Sequence, residues 1–115
     1  MNERSATRSD YAVRLERVLR WLADHMDDTL DLHRLAEVAY MSPYHFHRAF
    51  TRVFGETPQQ YRTRLRLDRA QQLLRRGDLP VTQVCLESGF ESLGSFSTLF
   101  RRRYGVSPRH AKTQD

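Results

Sequence analysis

The sequence predicts an all-α chain of about seven helices, and three observations carry that prediction. Helix start and stop signals recur along the whole length. No stretch alternates apolar with polar residues for long enough to make a strand. Residues 37–63 repeat at 87–113 with a fixed offset of 50.

The first helix is expected from about Tyr11 to Met26, behind an Asp10 cap and a disordered leader over 1–9. Tyr11, Leu15, Val18, Leu22 and Met26 fall on one apolar stripe. Asp31 caps a short second helix carrying Leu32, Leu35, Ala36 and Ala39. Ser42 caps a third, with Pro43 at its first position, where a missing N–H costs nothing, and Gly55 ends it. Thr57 and Pro58 repeat that start signal for a long fourth helix that reaches about Arg76 and stops at Gly77. A fifth is expected from about Pro80 to Ser88 before Gly89, and a sixth from about Leu93 to Tyr104 before Gly105. Ser107 and Pro108 open a short seventh.

Eight identities hold the repeat in register without a gap: Glu37/Glu87, Ser42/Ser92, Phe46/Phe96, Phe50/Phe100, Arg52/Arg102, Gly55/Gly105, Pro58/Pro108 and Thr63/Thr113. Chance supplies one or two identities, not a set in which cap, core aromatics, terminating glycine and following proline stay aligned. Each copy reads short helix, tight turn, longer helix, which is the form of a helix-turn-helix: the first helix braces and the second turns its solvent face to a DNA major groove. The chain then divides into a first helix-turn-helix subdomain over 10–57, a linker helix over 58–77 and a second subdomain over 78–112. The linker, about 19 residues and so about 28 Å long, is comparable to the separation of about 34 Å between successive major grooves on one face of DNA.

Composition narrows the function classes. The chain has 115 residues, 39% of them hydrophobic, and a net charge of +5, enough to bury a core without metal or disulfide. Cys85 is the only cysteine, which excludes an intrachain disulfide and favours a reducing compartment. No apolar run reaches the roughly 18 residues of a membrane helix. Of 19 basic residues only Lys112 is not arginine, a bias that suits bidentate contact with phosphates and bases. Net charge is −2 over 1–41, +6 over 42–77, −2 over 78–90 and +3 over 91–115. Two basic blocks of this kind are what a polyanion-binding face looks like.

At 100° per residue, Phe46, Ala49, Phe50 and Val53 share the core side of helix three. Tyr44, Arg48 and Thr51 are then central on the opposite side, with His45, His47 and Arg52 flanking. Arg48 can take a guanine through O6 and N7, the imidazoles can donate or accept at base edges, and Tyr44 can pack on a sugar or thymine methyl. On helix six, Phe96, Leu99, Phe100 and Arg103 occupy the equivalent core side, with Arg103 at its edge. Gly94, Thr98 and Arg101 face outward, flanked by Ser95, Ser97 and Arg102. That second face is chemically poorer and is expected to read backbone and groove shape more than base identity.

His45 and His47 point about 200° apart on a helix and no third ligand follows them, so no metal is expected. Cys85 matches Leu35 at the offset of 50 and is expected as a small core residue rather than a nucleophile. Trp21 is expected to pack at the edge of helix one. Arg62, Arg66 and Arg69 are either partners of acids such as Asp68 or phosphate contacts. No acid, base and nucleophile set suggests an enzyme, and no cofactor is expected.

The pattern resembles the AraC/XylS-type transcription regulators over roughly Asp10 to Lys112. The likeness rests on Val81-Thr-Gln-Val-Cys-Leu-Glu-Ser-Gly-Phe90, Ser95-Phe96, Phe100-Arg101-Arg102, Tyr104-Gly105-Val106 and Ser107-Pro108. The first unit adds Leu35-Ala36, Ser42-Pro43-Tyr44-His45-Phe46, Arg48, Phe50 and Gly55. The resemblance implies a bacterial, cytoplasmic, sequence-specific DNA-binding regulator, nucleoid-associated when bound, with its two recognition helices in adjacent major grooves. It implies base contacts from Tyr44, His45, His47 and Arg48 and from Leu93, Gly94, Ser95 and Thr98. Phosphate contacts are expected from Thr51, Arg52, Ser97, Arg101 and Arg102. The expected partner is double-stranded DNA bound by a monomer, unless a separate sensor domain dimerises it. The other reading is a helical adaptor for a protein such as RNA polymerase, with DNA binding incidental. A stand-alone regulator and a portion of one whose sensor lies elsewhere both remain open.

Overall fold

The structure, a computed structural model, describes residues 3–113, with side chains over 10–112. Among the described residues there are seven helices and no strand: α1 (Glu3–Asp24), α2 (Leu32–Val38), α3 (Pro43–Phe54), α4 (Pro58–Arg76), α5 (Val81–Glu87), α6 (Leu93–Tyr104) and α7 (Pro108–Thr113). They form two compact units that meet inside α4, between Arg62 and Thr63. No described helix is long and apolar enough to cross a membrane.

Helix α1 departs most from expectation. Its backbone is already helical at Glu3, where the sequence suggests a disordered leader, while residues 1 and 2 of that leader lie outside the described residues. Asp10 is therefore not a cap. It sits within the helix and pairs with Arg14 one turn on, at 2.9 Å. The helix ends at Asp24, so Met26 lies in the following turn. Trp21 stacks on His25 with ring centroids 3.8 Å apart. Arg62, which the sequence left between acid pairing and phosphate contact, is buried. Its guanidinium donates to the Met26 carbonyl at 3.3 Å and to that of Asp28, fastening the segment after α1.

In the first unit Leu15, Val18 and Leu22 of α1 are buried together with Leu35, Ala36 and Ala39 of the α2 region and Phe46 and Phe50 of α3. Each fully buried Leu or Phe contributes roughly 1.5–3 kcal/mol relative to exposure. Val53, expected in this core, is 57% exposed. Phe54 takes the place instead, 4.6 Å from the Phe50 ring and 6.2 Å from Tyr61. The inward stripe is thus Phe46, Phe50 and half-buried Phe54, with a step of four, and it turns the helix slightly from the orientation that a Val53 stripe implies.

The second unit repeats this plan. Leu67, Ala70 and Leu74 of α4, Val84 and Cys85 of α5, and Phe96 and Phe100 of α6 make one cluster, with Leu99, Tyr104 and Ala111 packed against it. Helix α4 is therefore more than a connector: from Thr63 onward it supplies the second unit with the wall that α1 supplies to the first. Leu15, Val18 and Leu22 recur as Leu67, Ala70 and Leu74, with the same steps of three and four.

The bracing helices correct the register of the repeat. Ala39, Tyr40 and Met41 donate backbone N–H groups to Leu35, Glu37 and Ala36. Ser88, Gly89 and Phe90 make the same bonds to Val84, Leu86 and Cys85. The offset here is 49, not 50, so Glu37 and Glu87 are not equivalent, and Cys85 answers to Ala36 rather than Leu35. The second turn holds one extra residue, Glu91, before the Ser92 cap restores the offset of 50. Cys85 is buried, as expected of a small core side chain, and desolvation pushes its thiol above the ordinary range.

Candidate nucleic-acid interface

Both recognition helices start in the same way. The Ser42 hydroxyl accepts from the His45 N–H at 3.2 Å, with Pro43 at the first helical position. The Ser92 hydroxyl accepts from the Ser95 N–H at the same distance. Both helices end on a left-handed glycine, Gly55 at φ 73° and Gly105 at φ 81°. Two buried phenylalanines hold each helix to its own unit, so the opposite face is directed to solvent.

On α3, Tyr44, His45, His47, Arg48 and Arg52 are exposed, Tyr44 at 72%. With the core stripe running through Phe54, the centre of the outward face is His45, Arg48 and Arg52. Thr51, expected at that centre, is half-buried, and its hydroxyl donates to the His47 carbonyl at 2.8 Å. The face is organised before any ligand arrives. The Arg48 guanidinium lies 5.6 Å above the Tyr44 ring and donates to its hydroxyl at 3.3 Å. The His45 ring rests 5.4 Å from Tyr11 of α1. Between α1 and α3 runs a half-open groove of about 280 Å³. Leu15, Ala49 and Val53 give it apolar walls, and Arg48 and Arg52 are its charged lining residues. The exposure of Val53, which a core reading of the sequence hides, helps to make this groove.

On α6, Leu93 is 44% exposed, Gly94, Ser95 and Thr98 are exposed, and Ser97 is half-buried. Arg101 and Arg102 are exposed at the far end of the helix. Arg103 lies at the edge of the core side, as the periodicity suggests, and is tied to α4: its Nε donates to Asp68 at 3.1 Å. Its guanidinium lies 5.3 Å over the Tyr104 ring, whose hydroxyl also donates to Asp68. Among the described residues no group of three His, Cys, Asp or Glu could hold a metal ion.

The structure brings Tyr44, His45, Arg48 and Arg52 onto one face of α3, with Thr51 at its margin and His47 exposed to the side of it, and Gly94, Ser95, Thr98, Arg101 and Arg102 onto one face of α6, with Leu93 and half-buried Ser97 outside it. Sequence reasoning missed Phe54 and the wall-forming part of α4. The steps of three and four shared by Leu15-Val18-Leu22 and Leu67-Ala70-Leu74 would have revealed the second.

Comparison with known proteins agrees with this geometry. Residues 35–114 match the family model described as Helix-turn-helix domain. The HTH-type transcriptional activator RhaS of Escherichia coli O139:H28 is 42% identical over 98 residues, which cover 85% of this chain and 35% of that protein. The chain thus spans about a third of the length of the curated relatives it matches. Among solved structures, a transcriptional regulator with an AraC-type DNA-binding domain from Chromobacterium violaceum superposes with a TM-score of 0.82. It is 27% identical, with 90% of this chain and 92% of that one covered. The DNA-binding domain of AdpA, a global transcriptional factor solved in complex with a target DNA, gives a TM-score of 0.77 at 35% identity, with 85% and 88% covered. The chain belongs to the helix-turn-helix domain family, and within it to the AraC/XylS type.

Proposed function

We propose that this chain is the sequence-specific DNA-binding part of a transcription regulator, with α3 and α6 each presented to a major groove. The observation that carries the reading is the outward face of α3. A helix capped at both ends and anchored by Phe46 and Phe50 displays His45, Arg48 and Arg52 to solvent, with Arg48 already steadied on Tyr44. Such a helix, following a tight turn, is the form that reads base edges in a major groove. AdpA, solved on its target DNA, supports the reading through its likeness to this chain.

On this proposal Tyr44, His45, His47 and Arg48 contact bases, and Arg52 and Thr51 contact the flanking phosphates. On α6, Leu93, Gly94, Ser95 and Thr98 approach the groove, while Ser97, Arg101 and Arg102 meet phosphates. Adjacent grooves and a monomeric complex belong to the same proposal, as does location in the bacterial cytoplasm. Selection of bound duplexes from a randomised pool tests it. One sequence should be enriched, and affinity should fall steeply with salt, by a slope that counts the phosphates neutralised. Enrichment of no sequence, with weak binding at all salts, would instead favour an adaptor that docks on a protein such as RNA polymerase.

A further inference from the structure

We infer that an arginine from the helix preceding each helix-turn-helix sets the turn: Arg14 in the first unit and Arg66 in the second are positioning residues for the recognition helices. The inference rests on the DNA-binding reading above and adds two residues to it, neither of which lies on a recognition helix.

The turn after α2 is a Schellman motif. Tyr40 N–H bonds the Glu37 carbonyl at 3.0 Å and Met41 N–H bonds that of Ala36 at 2.9 Å, with Tyr40 left-handed at φ 55°. This arrangement satisfies carbonyls within α2 but leaves those of Ala39 and Tyr40, at the turn itself, without a backbone donor from the motif. Arg14 supplies one. Its Nε donates to the Ala39 carbonyl at 2.6 Å and its Nη2 donates to that of Tyr40. The third arm, Nη1, is held by Asp10 at 2.9 Å. All three nitrogens of the guanidinium are thus committed inside the unit. A planar, permanently charged fork suits this task, since it fixes two successive carbonyls relative to α1 at once. Arg17 adds to it, lying 5.2 Å over the Tyr40 ring. Tyr40 is the one described residue other than glycine with positive φ, and these contacts help to offset the cost of that conformation.

The second unit places the same residue type at the same position. Arg66 follows Arg14 by 52 residues, the offset that relates Leu67, Ala70 and Leu74 to Leu15, Val18 and Leu22. Gly89, left-handed at φ 92°, answers to Tyr40. A Cβ built on Gly89 would come within 2.6 Å of Arg66 Nε and 2.9 Å of its Cζ. The guanidinium therefore lies directly against the turn, in the space that any side chain larger than hydrogen would begin to fill. Glycine is required here for close approach as well as for its φ. Two copies with little identity in their first helices have kept an arginine at the turn, and the short connection from that turn to the Ser42 or Ser92 cap passes its orientation on to the recognition helix.

The test compares affinity for a duplex selected from a random pool with affinity for a scrambled duplex, using Arg14→Met and Arg66→Met in the full chain. A positioning residue predicts that the specific-to-nonspecific ratio falls by about tenfold, the order of one lost base contact, while nonspecific binding and its salt slope stay unchanged. Loss of both affinities together with an unchanged ratio would overturn the inference, because a role in stability alone lowers the folded fraction without changing what it selects. A salt slope reduced by about one with the ratio unchanged would also overturn it, by making the arginine a phosphate contact. Failure of the parent chain to select any sequence would remove the DNA-binding reading itself, and the inference with it. Should Arg14→Met not fold, Arg14→Lys carries the same comparison, with one donor kept and part of the ratio restored. In the second unit, Gly89→Ala should lower the ratio in the parent and lower it less beside Arg66→Met. Equal losses in the two backgrounds would break the link between glycine and arginine.

Discussion

In both units the two phenylalanines of the recognition helix stand 5.7 Å apart, and the second lies 4.6 Å from the ring four residues on: Phe46, Phe50 and Phe54 in α3, Phe96, Phe100 and Tyr104 in α6. The inward faces are near copies. Outside they diverge: where α3 shows Tyr44, His45 and Arg48, α6 shows Gly94, Ser95 and Thr98. Packing constrains an inward ring through its neighbours on every side, whereas an outward side chain answers only to what it will meet. On the proposed function, the two units would present one scaffold to DNA in two ways, the first by base chemistry and the second by close backbone approach.

Equal scaffolds imply equal core penalties. Phe50→Ala and Phe100→Ala should each cost about 3–5 kcal/mol, with protection from amide exchange lost first in the unit that carries the change. Uniform loss across all seven helices would show a single cooperative core and undo the comparison. Unequal faces imply unequal reading. Arg48→Ala should cost about 1–3 kcal/mol of binding and relax preference at one base pair. Thr98→Ala, at the matching position, should cost less, and Arg102→Ala should weaken every duplex alike and flatten the salt slope. A preferred site unchanged by Arg48→Ala would remove that residue as a reader.

The bracing helices differ at their starts. Asp31 accepts from the His33 and Arg34 N–H groups, at 3.0 and 3.4 Å, whereas Pro80 gives α5 no side-chain cap. Asp31→Ala should therefore lower stability by about 1 kcal/mol, and Pro80→Ala should lose no cap at all. Denaturant midpoints of the two variants separate these outcomes. The helix ends differ in the opposite sense. Ser88 occupies the position of Ala39, and its buried hydroxyl has no hydrogen-bond partner among the described residues. Ser88→Ala should raise stability by up to about 1 kcal/mol. A loss on this substitution would mean that the hydroxyl is satisfied.

Most of the fold is legible in the sequence because its boundaries are written by local chemistry. Ser42-Pro43, Gly55, Thr57-Pro58, Ser92 and Gly105 each act within one turn of helix, and α3, α4 and α6 fall where those residues put them. The parts that escape depend on distant neighbours. Val53 and Phe54 are both apolar and adjacent, and what sets Phe54 inward is its packing against Phe50 and against Tyr61 of the next helix, which a local reading does not see. The extra residue Glu91 is invisible to an ungapped comparison, since the Glu37/Glu87 identity masks the shift. Glu3 to Ser9 are polar apart from Ala6 and carry no core signal, yet α1 continues through them. The α3 face was legible because arginine and histidine announce their chemistry. The α6 face was less so, since a glycine and small hydroxyls have no single use.

The smallest expected effect isolates a polar cluster present in one unit only. Where the first unit has Val53 and Phe54 on α3 and Glu16 on α1, the second has Arg103, Tyr104 and Asp68. Asp68 accepts from both of the others, with Arg103 Nε at 3.1 Å. Burial holds the Tyr104 phenol above its usual range, with the Asp68 hydrogen bond adding to it and that of Arg103 opposing. A folded pKa above the unfolded one contributes stability that is complete below the unfolded value, near 10. That contribution is lost as pH rises from there through the folded value, because the unfolded chain releases the proton first. Denaturant midpoints followed from pH about 9 to about 11.5 should fall more steeply for the parent than for Tyr104→Phe, which keeps the ring on Phe100 and removes the proton. The other tyrosines titrate in both proteins and cancel in the difference. Parallel curves would mean that the phenol ionises as freely in the fold as out of it, and that the Asp68 cluster adds no pH dependence to the second unit.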